Sequence, residues 1–168
     1  MFYQISNLRK DEVKEFHQVF SEVLSSQFPG YTPKVIKYLL EKIYTESSFY
    51  YWLVNNSKTV LISKSNDLII GFAVIDEPYG GVSFMRWLGI KPEFHRQGIG
   101  TSLINKWIEI ARLQGCHKIE VAAQPEAKEF YKKAGLDLEG KRIKSYFGID
   151  QFVYGKVIGN PSDEVMTR

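Results

Sequence analysis

The sequence predicts a mixed α/β fold, a twisted sheet of parallel and antiparallel strands that is flanked by about four helices. Three observations predict it. Two helical apolar patterns precede the main strand-like runs, and short turns between successive runs favour antiparallel pairing. One amphipathic helix then connects the strand-like runs Val82–Ile90 and Lys118–Ala122, an order typical of a parallel crossover. A length of 168 residues suits one core, so we expect a single domain over residues 1–168.

The amino-terminal segment predicts a short strand followed by two helices. The pattern at Phe2–Ser6 suits the strand, and from Asp11 onward the apolar residues recur at helical spacing. Phe28–Gly30 breaks this first helix. Thr32 then offers an N-cap and Pro33 a first-turn proline, so we expect the second helix to begin there.

The middle of the chain is rich in β-branched and aromatic residues and predicts four strands. They are Tyr50–Val54, Thr59–Lys64, Leu68–Asp76 and Val82–Ile90. Turn-forming residues at Ser65–Asp67 and at Tyr79–Gly81 leave only short connections between the last three. We therefore expect the second and third strands to form a hairpin and the fourth to run antiparallel to the third.

The carboxy-terminal half predicts two further helices and three strands. These elements are the helix Thr101–Gln114, the strand Lys118–Ala122, a helix that Pro125 opens and Gly135 closes, and the strands Leu136–Ile143 and Gln151–Ile158. The polar tail, residues 160–168, is expected to be flexible.

Composition and charge exclude several classes of protein. An apolar content of 44% and a charged content of 24% are ordinary for a soluble globular domain, and no apolar run is long enough to cross a bilayer. We therefore expect a cytoplasmic protein without membrane contact. A formal charge of +3 with one short basic cluster at Lys141, Arg142 and Lys144 disfavours nucleic-acid binding. Cys116 is the single cysteine, so neither a disulfide nor a metal site is predicted.

A glycine-punctuated turn, Arg96–Gly100, lies between the strand that ends at Ile90 and the helix that begins near Thr101. Glycines allow close backbone approach, and the free amides and the dipole of a helix start attract an anion. A dinucleotide fingerprint would need a third glycine where Leu103 stands, and a phosphate loop would need a lysine–hydroxyl pair after the glycines. A plain loop that starts a helix is the structural alternative.

The stretch Arg86–Gly100 resembles the acetyl-CoA-binding signature of the GCN5-related N-acetyltransferases, the GNAT family. That signature has Arg or Gln, two variable residues, Gly, one variable residue and then Gly or Ala. Gly98 and Gly100 match it, whereas His95 stands at its first position. The resemblance implies a GNAT-like fold and acetyl-CoA as co-substrate, bound largely through backbone groups. The implied contacts are Leu88, Gly89, Ile90, Arg96, Gln97, Gly98, Ile99, Gly100 and Thr101.

A second block, Gln124–Leu136, is similar to the family segment in which an asparagine, an alanine and a Phe-Tyr pair precede a glycine and an apolar residue. Gln124 replaces the asparagine, and the resemblance implies that it hydrogen-bonds the pantetheine arm. Tyr131 is the tyrosine of the pair and is implied to be the general acid that protonates the departing thiolate. The alternative is that Tyr131 only packs as a core aromatic beside Phe130.

The general base is less well defined by the sequence. Family members often take it from a glutamate on the strand before the glycine turn, but Val82–Ile90 contains no acid. Glu120, on the crossover strand, and Asp76 or Glu77, at the end of the preceding hairpin, are candidates. Each is equally well explained as a surface carboxylate. A water chain, or direct capture of the deprotonated amine, is the other alternative.

The resemblance implies an acetyl-CoA-dependent N-acyltransferase that moves an acetyl group directly to a primary amine. The acceptor would be a small-molecule, peptide or protein amine, and Tyr31, Tyr79, Trp87 and Tyr146 are candidates to line its site. A non-catalytic module of the same fold that senses acyl-CoA is the alternative, and the missing acid on Val82–Ile90 favours it. The sequence is compatible with a monomer or a homodimer.

Overall fold

The computed structural model describes residues 2–167, and within them the chain forms seven β-strands and six α-helices. The strands are β1 (Gln4–Asn7), β2 (Lys58–Ser65), β3 (Leu68–Asp76), β4 (Val82–Ile90), β5 (Lys118–Ala123), β6 (Asp137–Arg142) and β7 (Gln151–Val157). The helices are α1 (Val13–Gln27), α2 (Pro33–Tyr38), α3 (Glu46–Asn55), α4 (Ile99–Leu113), α5 (Lys128–Lys133) and α6 (Asp163–Met166). Met1 and Arg168, the two ends of the predicted domain, lie outside the described residues.

The seven strands form one mixed sheet in the order β1-β2-β3-β4-β5-β7-β6. β4 and β5 pair in parallel through Val82–Met85 and Lys118–Val121, whereas β7 pairs antiparallel with both β5 and β6. Asn66 and Asp67 adopt positive φ between β2 and β3, as a tight hairpin turn requires. The predicted mixed α/β fold with its parallel crossover is confirmed.

The prediction of a strand at Tyr50–Val54 is wrong, because this segment belongs to α3. The Thr45 hydroxyl accepts a hydrogen bond from the Ser48 amide at 3.1 Å and caps the helix. Phe49 and Trp52, three residues apart, are both buried. Packing of these aromatic residues at helical spacing overrides the strand preference of the segment.

The second and fourth predicted helices are less regular than their patterns suggest. α2 continues as a π-helical turn, Leu39–Ile43, in which the Tyr44 amide donates to the Leu39 carbonyl at 2.7 Å. The fourth helix opens with the 3-10 turn Pro125–Ala127 before α5 begins. In the tail that the sequence predicts to be flexible, α6 is helical, and the flexibility itself stays a prediction.

Two compact units divide the described chain. The first unit consists of the residues up to Val74 together with Trp87–Leu103. Its core is built around α1, where the Phe16 ring lies 4.8 Å from the Phe49 ring and 5.4 Å from the Phe72 ring, between centroids. These near-perpendicular aromatic contacts anchor α1 and α3 against β3.

The second unit consists of Ile75–Arg86 together with the residues from Ile104 onward. Trp107 of α4 is fully buried, and its indole N–H donates to the Ser83 hydroxyl at 2.8 Å. This bond satisfies a polar group that burial would otherwise leave unpaired. It also fixes α4 against the start of β4.

Residues 2–167 contain neither a membrane-spanning helix nor a cluster of metal-ligating side chains. No helix in that range is both long and apolar enough to cross a bilayer. The same residues contain no group of three or more His, Cys, Asp or Glu side chains arranged to hold a metal ion, and Cys116 is a buried free thiol. Cellular location and single-domain organisation stay predictions.

Candidate active site

The glycine-punctuated turn Arg96–Gly100 lies in the first unit and overlaps the start of α4. Arg96 and Gly98 both adopt the left-handed conformation, with φ of 59° and 80°. Such strain at a non-glycine residue concentrates at functional sites, and left-handed residues help to gather successive amides into an anion-binding nest. A Cβ added to Gly98 would meet no atom nearer than the Tyr3 hydroxyl at 3.9 Å. The protein therefore leaves the space beside this glycine open.

The start of α4 supplies free backbone donors. The helix begins at Ile99, two residues before the predicted start, and its first hydrogen bond runs from the Ser102 amide to the Gly98 carbonyl at 3.0 Å. The amides of Ile99, Gly100 and Thr101 precede that bond and have no helical partner. With the positive end of the helix dipole, these amides can bind a phosphate group.

His95 ties the turn to the end of β4. Its Nε2 lies 2.8 Å from the Ile90 carbonyl oxygen and 3.0 Å from Gln27 Oε1, and the Gln27 side-chain amide donates to the same carbonyl at 2.6 Å. Because a carbonyl oxygen only accepts hydrogen bonds, Nε2 of His95 carries the proton. His95 therefore positions the turn. Sequence reasoning missed Gln27, since no local signal connects it to a partner 63 residues away.

The predicted contacts Leu88–Ile90 lie at the end of β4. The parallel pairing with β5 stops at Met85, so these residues lie beyond it. A Cβ added to Gly89 would come within 2.5 Å of Val23 and 2.7 Å of Phe72, so this glycine lets α1 and β3 approach β4 closely. The carbonyl that ends the segment is already occupied, and β3 pairs along one edge of β4, so the backbone groups of the opposite edge are the candidates for a ligand.

Tyr131 lies on α5 in the second unit and is only 5% exposed. Its ring stacks on that of Tyr154 at 5.9 Å. Burial raises the pKa of the Tyr131 phenol well above its ordinary range, because the charged phenolate would lose its solvation. No described residue forms a hydrogen bond with its hydroxyl. The burial fits a core aromatic and the free hydroxyl fits a proton donor, so the acid role stays a prediction.

Gln124 follows directly after β5 and is 8% exposed. Its backbone carbonyl accepts a bond from the Ala127 amide at 3.0 Å. Both polar atoms of its side-chain amide are buried, and neither finds a partner among the described residues. An unpaired buried polar group costs about 1–3 kcal/mol. A ligand that pairs with this amide would remove that cost.

Two of the three predicted base candidates are engaged with cations, and the third, Glu77, is exposed after the end of β3. An oxygen of Glu120 lies 2.9 Å from Lys118 Nζ, and the same ammonium group lies 2.7 Å from Glu139. These two carboxylates raise the pKa of Lys118. Asp76 is ion-paired with Arg86. Neither arrangement shows a carboxylate held free for an incoming amine, and the base role of Glu120 stays a prediction.

The four aromatic residues suggested for the acceptor site fall into two groups. Tyr31 and Trp87 contact each other in the first unit, with ring centroids 6.3 Å apart. Tyr79 and Tyr146, in the second unit, are 87% and 64% exposed. The structure therefore brings two of the four together.

Comparison with known proteins finds a family match that covers most of the chain. Residues 17–136 match the family model described as acetyltransferase (GNAT) family. An uncharacterised N-acetyltransferase of Methanocaldococcus jannaschii is 27% identical over 145 residues, which cover 80% of this chain and 61% of the archaeal protein. A probable glucosamine 6-phosphate N-acetyltransferase of Oryza sativa subsp. japonica is 31% identical over 51 residues, 30% of this chain and 31% of the rice protein. The chain thus spans less than two thirds of the length of either relative.

Solved structures share the fold at low sequence identity. PaiA N-acetyltransferase of Thermoplasma acidophilum, solved with coenzyme A, superposes with a TM-score of 0.80 at 18% identity, over 94% of this chain and 99% of the other. The ribosomal-protein-S18-alanine N-acetyltransferase of Escherichia coli gives a TM-score of 0.71 at 15% identity, over 96% and 97% of the two chains. At these identities the likeness concerns the fold alone.

Proposed function

The chain belongs to the acetyltransferase (GNAT) family, and from that premise we propose that it transfers an acetyl group from acetyl-CoA directly to a primary amine. The observation that carries the proposal is the turn Arg96–Gly100, where left-handed residues and unpartnered helix-start amides form an anion-binding nest. A pyrophosphate is the part of acetyl-CoA that this nest suits. The acceptor amine belongs to a small molecule, a peptide or a protein.

The pantetheine arm is proposed to bind along the end of β4 and to Gln124. Backbone groups of Leu88–Ile90 lie beyond the pairing with β5 and can bind an extended ligand as an added strand would be bound. One amide there would polarise the thioester carbonyl. The buried side-chain amide of Gln124, without a partner among residues 2–167, supports a hydrogen bond to the pantetheine.

Direct transfer forms the amide and breaks the thioester in one sequence of steps. The amine nitrogen attacks the carbonyl carbon, the C–S bond breaks, and the thiolate must be stabilised and protonated. Tyr131 is proposed to do this, because its buried phenol stays protonated and its hydroxyl is free of protein partners within the described chain. A phenol with a raised pKa is a weaker acid, so it stabilises the developing thiolate first by donating a hydrogen bond. A proton that it gives to sulfur as the C–S bond breaks must then be replaced from solvent to restore the phenol.

The amine must also lose a proton, and two routes are open to it. Glu120 is the carboxylate proposed as base, but its ion pair with Lys118 competes with the amine for the same oxygens. β4, the strand from which many family members take a base, carries no acid. Loss of the amine proton to water is therefore the alternative route.

Ligand binding and turnover test the proposal separately. Acetyl-CoA should raise the unfolding temperature, whereas NAD and ATP at equal concentration should not. Release of free CoA in the presence of an amine panel, with the acetylated amine found by mass spectrometry, would establish transfer. Stabilisation by acetyl-CoA without CoA release from any amine would favour the sensing module, and the absence of stabilisation would overturn the cofactor assignment. Whether the chain is a homodimer stays a prediction.

A further inference from the structure

A cluster of four aromatic side chains lies in the first unit, with two from the connection between α1 and α2, one that follows the π-helical turn and one from β4. Trp87 is buried at its centre, and its ring lies 5.2 Å from Phe28, 6.3 Å from Tyr31 and 5.4 Å from Tyr44, between centroids. The other three rings are only partly buried. We call these four residues the aromatic cluster. Trp87 directly precedes Leu88–Ile90, the segment proposed to hold the thioester.

The indole N–H of Trp87 is buried and has no hydrogen-bond partner in the described chain. The side chain is 8% exposed, so water does not supply the missing acceptor freely. Trp107 shows the ordinary outcome, since its indole N–H donates to Ser83 at 2.8 Å. Buried tryptophan N–H groups usually find a partner. The unpartnered donor at Trp87 is therefore available to an oxygen of a ligand.

The backbone next to the aromatic cluster supports a binding role. Tyr44 follows the π-helical turn Leu39–Ile43, a rare conformation that occurs frequently at functional sites. Phe28 and Tyr31 stand on an exposed turn with Pro29 and Gly30 between them, closed by the bond from the Tyr31 amide to the Phe28 carbonyl at 3.0 Å. Movement of this turn would let a ligand oxygen reach the indole N–H.

The charges of the first unit argue against a polycationic acceptor. All but one of its carboxylates lie beside a partner: Asp11 with Arg9, Glu12 with Lys64, Glu15 with the Ile69 amide, Glu22 and Glu93 with Lys91, Glu41 with Lys37, and Glu46 near His17. Asp67 lies in the β2–β3 turn. None of the residues in the aromatic cluster carries a negative charge. Apolar contact and one donated hydrogen bond are what this cluster offers.

We propose that the acceptor is a primary amine that carries a large apolar group beside a carbonyl oxygen, as in an amide of a hydrophobic amino acid or a peptide amino terminus. The aromatic cluster would bind the apolar group, and the Trp87 N–H would donate to the carbonyl. This rests on the proposed N-acyl transfer and names the acceptor class of the same reaction. Trp87 is a positioning residue here, since it orients the acceptor and takes no part in the chemistry.

Nuclear magnetic resonance of the indole N–H groups tests binding without turnover. In protein labelled with 15N, the signal missing from a Trp87→Phe variant identifies Trp87. Titration with phenylalaninamide should move that signal downfield, while the Trp107 signal, already bonded to Ser83, stays in place. Glycinamide, which has the carbonyl but no apolar group, should need a concentration about 10- to 100-fold higher. No movement of the Trp87 signal at saturating phenylalaninamide would overturn the inference.

Steady-state kinetics then separates the two contacts. For the unaltered enzyme, kcat/KM should be about 10- to 100-fold higher for phenylalaninamide than for glycinamide. Tyr31→Ala should remove most of that preference without changing KM for acetyl-CoA. Trp87→Phe should raise KM for phenylalaninamide about 5-fold more than KM for phenethylamine, because phenethylamine lacks the carbonyl and loses only the ring contact. Tyr51→Ala, at a tyrosine that is 61% exposed on α3, is the matched control. It should alter neither the preference for phenylalaninamide over glycinamide nor KM for phenylalaninamide.

The outcomes distinguish this inference from the proposed function. CoA release with a linear triamine or glucosamine 6-phosphate, at a kcat/KM equal to that of phenylalaninamide, would support acyl transfer. It would contradict the proposed acceptor class. Movement of the Trp87 signal without CoA release from any amine would support the binding site and overturn the acyl transfer. A tripeptide beginning with phenylalanine, compared with phenylalaninamide, distinguishes a peptide terminus from a small amide, and a preference for either supports the inference.

Discussion

The two units carry their predicted site residues in different chemical forms. In the first unit the groups are backbone amides around Gly98, held by left-handed conformations at Arg96 and Gly98. In the second unit they are buried side chains, Gln124 and Tyr131, whose polar atoms lack protein partners in the described chain. A backbone site depends on local conformation, whereas a side-chain site depends on burial and neighbours. Substitutions should therefore change cofactor affinity most in the first unit and turnover most in the second.

Replacement of the turn glycine should have the largest effect. Gly98→Val forces a β-branched residue to a φ of 80°, a strain of about 1–2 kcal/mol, and misplaces amides whose charge-assisted bonds are worth about 1.5–3 kcal/mol each. We expect the Kd for acetyl-CoA to rise on the order of 1000-fold, measured by calorimetry. Gly80→Val is the matched control, because Gly80 also has a positive φ and open space around it. Equal losses of affinity in both variants would contradict the nest.

Tyr131→Phe should lower turnover with little change in binding. The variant keeps the buried ring and removes only the hydroxyl, so we expect kcat to fall on the order of 100-fold while the Kd for acetyl-CoA changes by less than about 2-fold. Tyr154→Phe, in the stacked and equally buried neighbour, is the control and should keep kcat. An unchanged kcat in Tyr131→Phe would remove the acid role and leave the core-aromatic explanation.

The raised pKa of Tyr131 also predicts the shape of the pH profile. Because burial disfavours the phenolate, the phenol stays protonated at pH values where an exposed tyrosine begins to ionise. With saturating substrates, kcat should rise as the amine deprotonates and should not decline before about pH 10, the ordinary tyrosine pKa. An alkaline decline centred well below that pH, present in the unaltered enzyme and absent from Tyr131→Phe, would show that the phenol ionises more easily than its burial indicates.

Gln124→Leu should change stability and affinity in opposite directions. The substitution removes a buried amide without a partner among residues 2–167, so we expect the free enzyme to gain about 1–2 kcal/mol of unfolding free energy. The Kd for acetyl-CoA should rise about 10-fold, because the hydrogen bond to pantetheine is lost. Thermal unfolding with and without acetyl-CoA measures both effects. A stabilised variant with unchanged affinity would mean that Gln124 does not touch the cofactor.

Local patterns explain how much could be predicted from the sequence. The β4–turn–α4–β5 crossover was predictable because glycine spacing and the amphipathic pattern of α4 both act within a short segment. α3 was not, because the aromatic run Tyr50–Val54 has strand preference and only its packing through Phe49 and Trp52 makes it helical. The contact of Gln27 with Ile90 could not be predicted either, and nor could the contacts of His95 with Gln27 and Ile90. Gln27 is 63 residues from Ile90 and 68 from His95, and although His95 is only five residues from Ile90, no local pattern specifies that contact.

Gln27→Leu should weaken acetyl-CoA binding moderately, because Gln27 supports the turn only through its contacts with His95 and with Ile90 at the end of β4. The variant leaves the Ile90 carbonyl with His95 alone, so we expect a loss of about 1 kcal/mol in unfolding free energy. The Kd for acetyl-CoA should rise about 3- to 5-fold as the turn loosens. Gln18→Leu, at an exposed position of the same helix, is the control and should change neither quantity by a similar amount. A stability loss without any change in Kd would show that Gln27 supports the fold and not the turn.

Glu120→Gln should have the smallest effect if the amine loses its proton to water. In that case kcat should change by less than about 2-fold across pH 7–9, because Lys118 keeps its bond to Glu139 and its part-buried ion pair with Glu120 takes no part in the chemistry. Glu139→Gln removes the other partner of the same ammonium group and is the matched control. A fall of about 100-fold in Glu120→Gln but not in Glu139→Gln would establish Glu120 as the base. Small and equal changes of kcat in both variants would mean that Glu120 only forms an ion pair with Lys118. The second unit would then supply the proposed acid, Tyr131, but no base.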